Sequence, residues 1–153
     1  MSPIKVITSG SAYLDIDAYA CCIAYAELLN LQGIPARAVS SAPANASVSH
    51  TVLGWAAAFD DCQPTLDDEF VLVDVSDSQH FDPLVVLERV VEVIDHHPGY
   101  ENYWQQKLGS AADIRPIGAA ATQVFSAGRR PVCCRRSACK VPHYWPPRFS
   151  TTR

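Results

Sequence analysis

The chain has 153 residues, 48% of them apolar, and a net charge of −4. That size and composition suit one folded domain with a sizeable core and exclude a largely disordered chain. No apolar run approaches the ~20 residues of a bilayer span, and Met1-Ser2-Pro3-Ile4-Lys5 lacks a secretory leader pattern, so no membrane association and a cytoplasmic location are expected.

Residues 4–8 read as a first strand, followed by the turn Ser9-Gly10-Ser11-Ala12. From residue 15 to 31 the spacing of Ala18, Cys22, Ala26 and Leu29 predicts a helix, stopped by Gly33 and Pro35. Residues 36–40 form a second predicted strand, 41–47 a polar loop and 48–59 a helix. A third strand covers 70–75, apolar except for Asp74, and a short helix is expected over 83–88. The β-branched run 90–94 predicts a buried fourth strand ending at Asp95. A helix over 101–108, a short fifth strand over 111–114 and an Ala-rich helix over 117–125 complete the pattern.

Strands alternating with helices predict an α/β fold. Its form is a three-layer αβα sandwich around a mostly parallel sheet of about five strands. Right-handed crossovers put every strand's carboxyl end on one edge, where open sheets bind ligands. The carboxylates after strands one, three and four are therefore expected to converge there.

Asp95-His96-His97-Pro98-Gly99 is the most telling stretch on that edge. Adjacent histidines on extended backbone point in different directions, so one can ligate a metal while the other faces a substrate. Asp95 can fix an imidazole tautomer from behind. Asp15 and Asp17 open the first helix, a position that suits cation ligands and equally suits acids favoured by the helix dipole. Asp74 interrupts an apolar strand, where a carboxylate calls for a partner or a metal unless it faces solvent. Asp77 and Asp82 read as turn and cap residues, and His50 and His80 as surface side chains. Tyr103-Trp104 reads as core packing. Together Asp15, Asp17, Asp74 and His96 make an oxygen-rich donor set with one nitrogen, suited to Mn²⁺ or Mg²⁺.

In this order the motifs resemble the N-terminal domain of the DHH phosphoesterase superfamily. That group includes family II inorganic pyrophosphatases, exopolyphosphatases, RecJ-type exonucleases, and oligoribonucleases or cyclic-dinucleotide phosphodiesterases. The resemblance spans about residues 4–127 and rests on four elements. These are Asp15-Ile16-Asp17-Ala18, Val73-Asp74, Asp95-His96-His97 and Gly118-Ala119-Ala120-Ala121-Thr122. It implies that Asp15 and Asp74 bind a first ion and that Asp17, Asp74 and His96 bind a second, with Asp74 bridging. It also implies that metal-activated water attacks a phosphate-containing substrate. His97 and Asp95 are the implied catalytic pair: His97 contacts the scissile phosphate and Asp95 orients the histidines. Substrates in such a family are pyrophosphate, polyphosphate, short oligonucleotides or cyclic dinucleotides.

Two departures temper the expectation. Ser11 stands where the family has a histidine, so the first metal site is expected to be weaker or tuned to a harder ion. The acidic body and the tail also differ in kind. Residues 1–128 hold all 16 acidic residues against five basic ones, a charge of −11, whereas 129–153 hold seven basic residues and no acid, +7. We therefore expect a metal-binding domain over 1–127 and a basic Arg/Cys/Pro-rich tail over 128–153. That tail reads as out-of-frame or truncated sequence, in place of a C-terminal substrate domain, or as an arm that steers towards nucleic acid. The six cysteines show no framework spacing and are expected to be reduced; Cys133, Cys134, Cys139 and His143 match no standard zinc pattern. The rival functions are a catalytically impaired metal-binding fragment and a nucleic-acid-binding module.

Overall fold

The computed structural model describes residues 3–54, 59–61 and 63–128. Its centre is a five-stranded sheet, every strand parallel to its neighbour, in the order β2-β1-β3-β4-β5. The strands are β1 (Lys5–Thr8), β2 (Ala36–Ala38), β3 (Glu69–Val73), β4 (Val90–Asp95) and β5 (Ala112–Ile114). Helices α1 (Ile16–Leu31), α2 (His50–Leu53), α3 (Glu101–Leu108) and α4 (Ala120–Gly128) connect and cover them.

Both faces of the sheet are buried, as a parallel sheet requires. On one face α1 and α4 pack Cys22, Tyr25, Ala26 and Val124 against Ile7, Val71, Val73 and Ile94. On the other, Trp104 of α3 packs with Val6, Phe70, Leu72 and Val93. Phe70, Val71, Leu72 and Val73 have no exposed surface, which explains why β3 is continuously apolar. Burial of each such side chain contributes about 1.5–3 kcal/mol. The expected three-layer α/β architecture is thus present, and its strand order reverses between β1 and β3.

Local chemistry sets the element ends. Asp15 caps α1 by accepting the Ala18 amide at 2.9 Å, and Gly33 at φ +79° ends the chain's helical course. The helix expected over 83–88 does not form. Val86 is extended, and only a 3-10 turn over Leu87–Arg89 follows it. The adjacent β-branched residues Val85 and Val86 disfavour helix. The Asp82 carboxylate instead accepts the amides of Leu84 and Ser41, at 3.1 and 2.7 Å. Asp82 therefore joins two loops rather than capping a helix. The helix expected over 48–59 is described only as the single turn α2, capped by Ser49; residues 55–58 lie outside the described residues. The expected tail over 129–153, with its cysteines, lies outside them as well. No helix among the described residues is long and apolar enough to cross a membrane.

Candidate metal centre

β3 ends two residues earlier than its hydrophobic pattern suggests, because Asp74 takes φ +58°. Residues other than glycine rarely adopt that left-handed conformation, and Asp and Asn tolerate it best. The turn holds the Asp74 carboxylate at the sheet's carboxyl edge with its side chain only 5% exposed. At the end of neighbouring β4, Asp95 is fully buried. Its Oδ1 accepts the backbone amides of His96 and His97 at 2.7 and 3.2 Å, so it shapes the turn that presents both imidazoles. The two rings lie 4.2 Å apart, centroid to centroid.

Asp74, His96 and His97 each bring one potential ligand atom to within 4.8 Å of the others. Their protonation follows from their partners. His96 Nδ1 is 3.0 Å from the Ile117 carbonyl, which only accepts, so Nδ1 carries the hydrogen. The lone pair of a neutral His96 therefore resides on Nε2. That atom lies 3.1 Å from Asp74 Oδ1 and 3.8 Å from Asp17 Oδ2. Asp74 Oδ1 is buried and has no hydrogen-bond partner among the described residues. Electron-rich atoms crowded in this way repel one another unless a shared proton or a cation lies among them. The site thus fits a divalent ion on its own geometry.

His97 has a different bond pattern. Its Nδ1 donates to Asp95 Oδ1 at 2.8 Å and so offers no lone pair. Burial works against its charged form, but the Asp95 hydrogen bond and the charges of Asp95, Asp74 and Asp15 hold the imidazole above its ordinary value. Burial, then the carboxylates of Asp17 and Asp15, push Asp74 up to about 7. Asp15 lines a crevice together with Asp74 and His97, though its Oδ1 is already spent on capping α1.

Asp17 is placed within reach of His96, but both its oxygens also accept amides at the start of α4. Oδ2 accepts Ala120 N at 2.7 Å and Oδ1 accepts Ala121 N at 3.0 Å. This contact caps α4 from another helix and explains why α4 starts at Ala120 rather than near residue 117. Ser11 donates its amide to the His80 carbonyl at 2.8 Å.

The candidate donors are carboxylate oxygens and imidazole nitrogens, a set that can hold a metal ion. Cys21 lies 3.4 Å from Asp17, yet burial and then the Asp17 charge push its thiol far up, so it supplies no thiolate. A cavity of about 310 Å³ adjoins the cluster, with Asp74, Asp95 and His97 in its wall.

Two supports were not legible in the sequence. The Ile117 carbonyl that sets the His96 tautomer is a backbone atom, and no residue type marks it. Gln123, buried on α4, donates to the carbonyls of Asp95 at 3.0 Å and Asp113 at 2.6 Å, tying α4 to the ends of β4 and β5. A polar residue on the inward face of an apolar helix was its one available signal. Comparison of the chain with models of known families gives no match, and comparison with curated proteins gives none either.

Proposed function

We propose that this protein is a divalent-metal-dependent phosphohydrolase that directs water onto a phosphate-containing substrate. The observation that carries the reading is the unpartnered Asp74 Oδ1 beside the bare Nε2 of His96. Asp74 and His96 would hold the ion, with Asp17 and Asp15 adding oxygens. A bound Mn²⁺ or Mg²⁺ supplies a Lewis acid that lowers the pKa of water and offsets phosphate charge. His97, held by Asp95 through Nδ1, would turn Nε2 towards the substrate, where its protonated form would donate to a phosphoryl oxygen as charge builds on it. The order and spacing of the four motifs, read as a DHH-type domain, agree with this division of labour.

Hydrolysis of a generic phosphodiester and of pyrophosphate with Mn²⁺ or Mg²⁺ tests the reading, using the wild type and Asp74→Ala. Metal-dependent turnover lost in Asp74→Ala supports it; turnover that survives the substitution refutes this site.

A second reading is a metal-binding protein without turnover. The double engagement of Asp17 by α4 favours it, because that carboxylate has fewer free lone pairs to give an ion. Divalent-ion binding that depends on Asp74 and His96, with no hydrolysis of any phosphate substrate, would select it.

A further inference from the structure

The cavity beside the metal cluster contains a second, unused set of polar groups. Beyond Asp74, Asp95 and His97 it is lined by Val75, Ser76, Asp77, His80, Pro98 and Tyr100. Asp77 is the hub. Its Oδ1 accepts the Gln79 amide at 3.0 Å, and its Oδ2 lies 3.3 Å from His80 Nδ1. The acceptor beside Nδ1 places a hydrogen there and turns Nε2 outward as the working atom of the ring.

The backbone of His80 is also fixed. Its carbonyl accepts the Ser11 amide, Gly10 bridges to Phe81, and Asp82 N donates to Ser9 O at 3.0 Å. The loops after β1 and β3 are thereby stitched together, and His80 sits on a rigid support rather than a free loop.

Apolar groups make up much of the rest of the wall. An uncharged alcohol would meet Val75, Pro98 and the Tyr100 ring. At about 310 Å³ the space is at the small end for ligand sites, which suits a compact leaving group.

We propose that His80, oriented by Asp77, is the proton donor to the leaving oxygen, and that the cavity selects phosphoesters of uncharged alcohols over phosphoanhydrides. This inference rests on the hydrolase reading above. In the step, a water oxygen forms the new bond to phosphorus while the bond from phosphorus to the leaving oxygen breaks, its electron pair staying on that oxygen. Only the doubly protonated ring can do this: it passes the proton on Nε2 to the leaving oxygen, giving the alcohol and a neutral His80 with its hydrogen on Nδ1. The attacking water releases a proton to solvent, and His80 regains one from solvent.

The test compares ethyl phosphate, p-nitrophenyl phosphate and pyrophosphate in the full chain with Mg²⁺, for the wild type and His80→Gln. Loss of a proton donor lowers kcat by about 10²–10⁴-fold on the ethyl ester and leaves the p-nitrophenyl ester, which departs without a proton, nearly unchanged. Calorimetry shows Mg²⁺ affinity unaltered in His80→Gln, as expected for an exposed residue outside the metal cluster. In NMR spectra, the His80 imidazole resonances should shift when propylphosphonate, whose P–C bond replaces the scissile P–O bond, is added with Mg²⁺. Equal losses on both esters, unmoved His80 resonances, or a wild-type preference for pyrophosphate overturns this inference and leaves the hydrolase reading standing. Absence of any Asp74-dependent turnover in the wild type overturns the hydrolase reading, and this inference with it.

Discussion

His96 Nε2 and Asp74 Oδ1 stand 3.1 Å apart with no hydrogen bond between them, because the one hydrogen of a neutral His96 is held on Nδ1 by the Ile117 carbonyl. Two acceptors at that distance make the pair a reservoir of unfavourable electrostatics that a shared proton or a cation relieves. The same logic runs through the nearby carboxylates, since Asp17 and Asp15 both disfavour the charge on Asp74. Without metal, Asp74→Asn should therefore raise stability by about 0.5–2 kcal/mol, the range common for removing strain at a functional site. Asn also accepts the positive φ at this position. Thermal melts with and without Mn²⁺ check it: the variant should melt higher than wild type in EDTA and gain nothing from added metal.

Asp68 gives the clearest dependence on pH. It is 6% exposed and accepts the amides of Thr65 at 2.7 Å and Ile4 at 3.1 Å. Burial works against its charge, but those amides and the Arg89 guanidinium hold its carboxyl below the ordinary value. A depressed folded-state pKa stabilises above the unfolded value of about 3.9 and loses that contribution as pH falls through the folded value. Asp68→Asn should cost about 1.5–3 kcal/mol at pH 7, and the difference from wild type should shrink below about pH 4. Urea unfolding at a series of pH values measures it.

Gln123 holds the sheet's carboxyl edge together from α4. Gln123→Leu removes both bonds, while the Asp95 carbonyl keeps the Arg115 amide at 3.1 Å, so the cost is about 1–3 kcal/mol in total. Denaturant midpoints should fall accordingly. Divalent-ion affinity should fall too, because the Asp95 carbonyl lies immediately before His96.

The paired cysteines of α1 should be inert in the folded protein. Burial, then the Asp74 and Asp82 charges, push the Cys22 thiol far up, and the residue has no exposed surface. Peptide mapping after iodoacetamide treatment should find Cys21 and Cys22 unlabelled in native protein and labelled in guanidinium.

Much of this structure was legible in the chain because its pattern has a direct physical cause. A strand buried on both faces is largely apolar, so the run Phe70–Val73 of β3 and the β-branched residues of β4 announce themselves. Trp104 likewise reads as core, and it is fully buried with its indole N–H bonded to the Ser76 carbonyl at 2.8 Å. Asp74, Asp95, His96 and His97 were all legible as a cluster, because a parallel sheet brings its carboxyl ends to one edge. What escaped depended on backbone atoms and on partners distant in sequence. The left-handed turn at Asp74 ends β3 where hydrophobicity alone would carry it on to Val75. The capping of α4 by Asp17 links residues 103 positions apart, which no local signal records. Likewise the Asp77–His80 pair looks like an ordinary turn until the cavity wall shows what it borders.

The spin-echo EPR spectrum of bound Mn²⁺ tests the metal centre most directly, since it detects an imidazole nitrogen bonded to the ion. The wild type and His97→Ala should show one ¹⁴N coupling, and His96→Ala should lose it. Mn²⁺ bound without nitrogen coupling, or a coupling that survives His96→Ala, would contradict the placement of the ion between His96 and Asp74.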